Sequence, residues 1–477
     1  MKKGNLARLF YRMCFLPTPG KRFSVLQKII ALASLVALVI IAWPARFYFL
    51  NDDLIHIPLS AAGMLGHNKS VRYTGDLSLM LDNLFYGRNA IGYHITNLVL
   101  HLINCFLFFA ALSHYFKNEN RIRQSWILLY AVLLFAFFGF HSDAIFWIIG
   151  RSASLGCFFL LLTIICMQNW EMHVAFRIGF MVCWLFALFA YESVWIFPFI
   201  AFLTFFLFQK PSLSSFVPSG VQVILLWLCL IGYLFIRKWV TGSFLGTYEA
   251  AAYETFSTQT LLVNYGKLIL RTLIPPMQNG LYFLLAGCAA GLVYLGILFY
   301  LFQKKLITPI WIFIHICWII SYLPYLSLGI SSKTIESERF LYLPSIFFSL
   351  SIMVTLFISF AKNKPVLFHV LCTVIITIHA VFFIKTANDY AEAGKTVSKT
   401  FMLLKQQQPI LYLEVNNLPQ TIHGIPVFRS GFSEGYRWIL NNQTVINVQD
   451  SMQFNEPIIV PTLLQKGDKH YLNFLEN

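Results

Sequence analysis

Apolar runs long enough to cross a ~30 Å hydrocarbon core recur along the whole chain. They fall near residues 25–45, 92–116, 125–140, 153–168, 177–190, 194–209, 219–237, 281–302, 309–328, 341–360 and 366–384. Charged residues make up only 12% of the 477, against roughly 25% in an ordinary soluble domain. The chain therefore reads as an all-α polytopic membrane protein with about eleven transmembrane helices. The basic stretch MKKGNLARLFYRMCFLPTPGKRF before the first run is too long for a typical cleaved leader and no small-residue cleavage site follows, so the first span is expected to be retained.

Lys and Arg number 35 against 20 Asp and Glu, a formal charge of +15. The positive residues gather in the N-terminus, KNENRIRQ (117–124), QK (209–210), QKK (303–305) and AKNK (361–364). Such clustering in alternate short loops is the positive-inside signature and places those loops in the cytoplasm; it is not a nucleic-acid stripe. All nine cysteines except Cys14 fall within apolar spans, so no disulfide framework or CxxC metal site is implied. No repeat of 20–50 residues is present.

Everything long and chemically mixed then lies on the outer face: a loop over 46–91, a second over 238–280, the SSKTIESERF connection and a tail from 385. IHIPLSAAGMLG, DLSLMLDNLF and TFSTQTLLVNYGKLILRTLIPP carry apolar residues at helical spacing. The first two are too short to span, and all three read as interfacial helices. The tail opens with the helical stretch TANDYAEAGKTVSKTFMLLKQQQ and continues through alternating segments such as ILYLEV and TVINVQ. Two domains are expected, a transmembrane one over 1–384 and a small mixed α/β one over 385–477.

Five constellations could carry chemistry. Asp52 and Asp53 could hold a divalent cation, or one could act as general base while the other orients it; the plainer reading is that they cap the helix that follows. His94, Asn97, His101 and Asn104 form one polar stripe through an apolar span. Interhelical hydrogen bonds account for the two deeper residues, and His94, near the outer surface, could reach a substrate. His141, Asp143 and Arg151 occupy a short outer turn, where a surface ion pair is the alternative to a cleft lining. Glu192 sits at an outer boundary, where a carboxylate needs water or a cation. Glu338 and Arg339 precede an apolar run, and a guanidinium there suits a lipid-linked phosphate or simply anchors in headgroups.

The order of these motifs resembles the GT-C superfamily of polyprenyl-phosphate-sugar-dependent glycosyltransferases. The likeness runs over residues 45–360 through YTGDLSLMLDNLFYGRNAIGYHITNLVLHLINCFLF, FAFFGFHSDAIFWIIGRSASLGCFFLL, ALFAYESVWIFPFIAFL and ESERFLYLPS. Within the superfamily it is most similar to the transmembrane O-mannosyltransferases with tetratricopeptide repeats and their shorter bacterial relatives. The resemblance implies a catalytic acid in the first outer loop, at Asp52 or Asp53, with His141, Arg151, Glu192, Glu338 and Arg339 lining a substrate cleft; His94 and Asp143 are substrate-binding candidates by their positions alone. It implies a polyprenyl-phosphate-sugar donor, a protein or glycan acceptor, contact with membrane lipids, and a bacterial inner membrane with the site facing the periplasm. The chain has no repeat array after its last span, so that family's repeat-borne acceptor binding does not carry over. AYES also stands where the family has Lys before Glu, so no cation occupies position 191. A lipid-linked glycan flippase, the runner-up, would show polar groups along its substrate path, whereas the charges here gather at the outer ends of spans; a glycan polymerase or ligase would share the outer-face cleft.

Overall fold

The computed structural model describes residues 24–66, 71–115, 121–208, 213–244, 257–442, 444–448, 451–454, 459–466 and 469–476. The basic N-terminus, residues 117–120 and the QK pair at 209–210 lie outside the described residues.

The chain is mostly helical. Among the described residues six helices are long and apolar enough to cross a membrane: Val25–Arg46, Ala90–Ser113, Arg151–Gln168, Ser219–Thr241, Gly280–Gln303 and Pro365–Gln406. The other five expected spans are shorter apolar helices, Ser125–Ala136, Val174–Leu188, Glu192–Leu207, Pro309–Tyr325 and Pro344–Phe360. At ~1.5 Å per residue, a 12-residue helix covers only ~18 Å. The helical surfaces are apolar and unpartnered, as at Leu281, Leu285, Leu292, Leu295 and Phe299, which is compatible with a multi-pass membrane protein.

The helices that frame the site are α1 (Val25–Ile41), α2 (Asp53–Ala61), α3 (Tyr73–Tyr86), α4 (Ala90–Tyr115), α5 (Arg121–Ala136) and α6 (Arg151–Gln168). They continue through α7 (Val174–Leu188), α8 (Phe197–Phe208), α9 (Leu213–Thr241), α10 (Thr258–Leu273), α11 (Gly280–Gln303), α12 (Pro309–Ile320) and α13 (Pro344–Phe360). The stretches read as interfacial become α2, α3 and α10; Ser257 caps α10 by accepting from Thr260 N at 3.2 Å. Leu268 and Arg271 of α10 face inward, and Leu262 and Val263 face out.

The polar stripe on α4 works as interhelical fastening. Asn97 donates to the carbonyls of Ile145 and Trp147, both at 3.2 Å. His101 bonds Tyr342 Oη at 2.7 Å and Ala136 O at 3.1 Å, and Asn104 donates to Ser154 O and Tyr342 Oη. Polar atoms in an apolar interior need such partners, so the stripe locks α4 to α6, to the end of α5 and to the start of α13.

The last apolar run and the helical stretch after residue 385 are one 42-residue helix, α14 (Pro365–Gln406). At ~1.5 Å per residue it reaches ~63 Å, so the transmembrane part and the tail share an element. Its C-terminal half packs Val397, Phe401 and Leu404 into the tail, with Phe401 against Phe428 and Phe432. The tail holds β1 (Tyr412–Asn416), β2 (Leu418–Ile422), β3 (Ile425–Pro426), α15 (Phe432–Leu440), β4 (Val445–Val448), β5 (Ser451–Phe454), β6 (Ile459–Lys466) and β7 (Lys469–Glu476). One sheet has the order β4-β1-β7-β6, with β1 parallel to both neighbours and β6 antiparallel to β7. The other has the order β3-β2-β5.

Segment 427–435 of the tail rests on the loop that follows α1. Asn51 N donates to Val427 O at 2.7 Å, and Trp438 packs edge-on against Phe49 at 5.1 Å. Gly431 has φ +83, and a Cβ there would lie 2.9 Å from Asn51 O and from Ile55 Cγ1. Both the left-handed backbone and the close approach require glycine.

Candidate functional site

Asp52 and Asp53 are placed in different environments. Asp53 is fully buried: Oδ2 accepts from Leu50 N and Oδ1 from Ile149 N, both at 3.0 Å. Burial pushes its carboxyl up to about 7 even though both backbone donors pull it down. It ties the turn before α2 to the turn before α6. Asp52 occupies the N-cap position of α2 but makes no capping bond, so the capping expectation is not met. Its Oδ1 accepts instead from Asn51 Nδ2 at 3.0 Å and from Ser430 Oγ of the tail. The two carboxylates are thus committed to separate partners and do not bracket a shared cation position. Among the described residues no group of three or more His, Cys, Asp or Glu is arranged to hold a metal.

Two cavities meet beside Asp52. The smaller, about 70 Å³, is polar and lined by Asp52, His56, Arg72, Asp76, Arg151, Ser152 and Tyr191 among others. The larger, about 370 Å³, is lined by Asp52, Asp143, Glu336, Phe340, Tyr390 and, from the tail, Ile425, Pro426 and Arg429. Asp52, Trp147 and Arg339 line both.

Arg339 lies over the rings of Trp147 (5.1 Å) and Phe340 (5.3 Å), which orient a guanidinium by cation–π attraction. Its Nη1 is 3.4 Å from Asp143 Oδ2, and Tyr390 Oη donates to Asp143 Oδ1 at 2.7 Å. Burial raises the Asp143 carboxyl, against the pull of Arg339 and Tyr390. Arg339 remains partly exposed, 13% of its side chain, so a ligand can reach it.

The remaining candidates divide into linings and braces. Arg151 lines the small cavity, but its donors go to Asp82, Ser78 Oγ, Ile148 O and Tyr93 O. Its partner is therefore Asp82 of α3, and Asp143 pairs with Arg339. Glu192 lines neither cavity; it accepts from Arg72 at 2.9 Å and Arg237 at 3.5 Å, and so holds Arg72 over the Tyr191 ring at the small cavity. Glu338 is buried between Ser142 and Arg271, the latter at 2.6 Å, and burial pushes its carboxyl up to about 7 against the pull of Arg271. His141 is buried with Nε2 on Ser345 Oγ at 2.7 Å, and His94 with Nε2 on Tyr48 O at 3.3 Å. Neither histidine lines either cavity.

Sequence reasoning did not find Arg72, Asp76, Trp147, Tyr390 or Arg429. Arg72 had a signal, since Glu192 at an apolar boundary demands a cation and Arg72 falls in the loop over 46–91. Arg429, which pairs with Glu336 at 2.9 Å, reaches the cavity only by the fold of the tail.

Three non-glycine residues with left-handed backbone adjoin this region: Asn51 (φ 46) before Asp52, Val71 (φ 55) before Arg72, and Ser337 (φ 73) two before Arg339. For a β-branched valine this conformation is a genuine outlier, and strain of this kind concentrates at functional sites.

Comparison of the chain with protein-family models, with curated proteins and with solved structures gives no match.

Proposed function

We propose that the protein is a GT-C-type membrane glycosyltransferase that moves a sugar from a polyprenyl-phosphate donor to an acceptor outside the cytoplasm. The observation that carries this reading is the meeting of a partly exposed carboxylate, Asp52, and a ring-oriented guanidinium, Arg339, at the junction of two cavities. Transfer to an acceptor hydroxyl or amide needs a base for the nucleophile and a cation for the departing phosphate. In this reading Asp52 takes the acceptor proton as the nucleophile attacks the anomeric carbon. The bond from that carbon to phosphate oxygen breaks, and Arg339 stabilises the phosphate released. A single displacement inverts the anomeric centre.

The topology that goes with this function has all eleven apolar helices crossing the bilayer, with the short ones completed by flanking residues. Both cavities then open on the outer face, next to the leaflet that carries the donor. A flippase would need polar groups along a path through the bilayer; here the α4 stripe is committed to interhelical bonds. Extraction and mass spectrometry of lipids bound to purified protein test the reading. Wild type should retain a polyprenyl-phosphate sugar that Arg339→Ala loses. Bulk phospholipid alone in both preparations would sink it.

A further inference from the structure

We infer that Ser430, together with Asn51, is a positioning residue that fixes the Asp52 carboxylate at the cavity junction, so that the C-terminal tail completes the catalytic site. This rests on Asp52 being the base. Ser430 Oγ lies within hydrogen-bond distance of both Asp52 Oδ1 and Asn51 Oδ1. A serine hydroxyl has one proton and can donate only once. The ionised carboxylate is the stronger acceptor, so the proton goes to Asp52. Asn51 Oδ1 is still served by Ser430 N at 3.0 Å. Asn51 Nδ2 adds a second donor to the same Asp52 oxygen at 3.0 Å. Oδ1 thus receives two donors, and among the described residues Oδ2 receives none, which leaves it free to take a proton from an acceptor.

The attachment of the tail does not depend on that hydroxyl. Asn51 N to Val427 O and Ser430 N to Asn51 Oδ1 join the two segments through backbone groups of the tail. Removing the Ser430 hydroxyl should therefore spare the attachment and free the carboxylate to rotate.

The experiment uses full-length wild type, Ser430→Ala, Ser430→Thr and Asp52→Asn in membrane vesicles. Each is given a panel of labelled polyprenyl-phosphate hexoses, and transfer to non-lipid product is counted. Ser430→Ala should lose about tenfold to a hundredfold in kcat, the range for a hydrogen bond to a charged group. Donor KM and the thermal midpoint should stay at wild-type values, and Ser430→Thr, which keeps the hydroxyl, should restore the rate. Undiminished kcat in Ser430→Ala beside an inactive Asp52→Asn overturns the proposal alone. Loss of rate that tracks a lowered midpoint and is not restored by threonine overturns it too, because Ser430 would then be structural. An active Asp52→Asn removes Asp52 as the base and this proposal with it, and a wild type that transfers from no donor in the panel removes the glycosyltransferase reading as well.

Discussion

Asparagine substitution at Asp52 and at Asp53 should have opposite consequences. In Asp52→Asn the new Oδ1 can still accept from Ser430 Oγ and Asn51 Nδ2, the two donors the aspartate now uses. The altered group faces the cavity junction, so folding should hold. What disappears is the negative charge a general base must carry, and general-base catalysis contributes roughly two to four orders of magnitude in rate. In Asp53→Asn one amide group must replace two acceptors that serve Leu50 N and Ile149 N. One buried N–H would then face an NH₂, which costs about 1–3 kcal/mol. Part of that is offset at high pH, because the wild-type carboxyl is pushed up to about 7 and the asparagine has no charge to bury. Below about pH 4 both folded and unfolded forms of Asp53 are protonated. Between there and about 7 the folded state binds more protons, so this residue's contribution to stability falls as pH rises. The midpoint gap between wild type and Asp53→Asn should accordingly be wider at pH 5 than at pH 8. Thermal unfolding in detergent across pH, beside transfer assays in vesicles, reads both effects. An inactive but stable Asp53→Asn with a fully active Asp52→Asn would reverse the assignment and refute the argument.

Arg339→Ala should raise donor KM more than it lowers stability, since the residue precedes α13 without forming it; steady-state kinetics with normal KM and turnover would reduce Arg339 to a headgroup anchor. Cysteines placed at Glu434 and Lys362, in a background with the native cysteines replaced, should label from opposite sides of intact cells with an impermeant reagent. Labelling from the same side would make the span count wrong. Gly431→Ala should destabilise the contact between the tail and the loop after α1 by about 1–3 kcal/mol, read as faster proteolysis of the tail. Resistance equal to wild type would mean that the contact yields without strain.

The apolar runs and the helicity of α2, α3 and α10 were legible because apolar length and helical spacing are local properties. The boundary near residue 384 was a boundary in hydropathy alone. The chain turns polar at Lys385 but nothing there breaks a helix, and α14 continues to Gln406. Pairing was the least legible level. Asp143 and Arg151 are eight residues apart, yet each finds its partner elsewhere, in Arg339 and Asp82. Burial of Asp53 rather than Asp52 is decided by Ile149 N, almost a hundred residues away. Adjacent residues at a helix start point ~100° apart, so the pair need not share an environment, and only the tertiary fold selects which of them is buried.

The backbone around the junction shows why distant segments are needed. Left-handed residues at Asn51, Val71 and Ser337 each cost on the order of 1–3 kcal/mol unless the surroundings over-determine them. Asn51 is over-determined: its N–H, its Oδ1 and its Nδ2 are all engaged, two of them with Val427 and Ser430. The loop after α1 without the tail would keep the strain at Asn51 and lose the contacts that hold it. The turn would then relax, and Asp52, the next residue, would move with it. The bonds that dock the tail therefore set where Asp52 stands, and the Ser430 hydroxyl sets the direction of its carboxylate, so the proposed site draws on the tail even though residues 427–430 follow every apolar span in sequence.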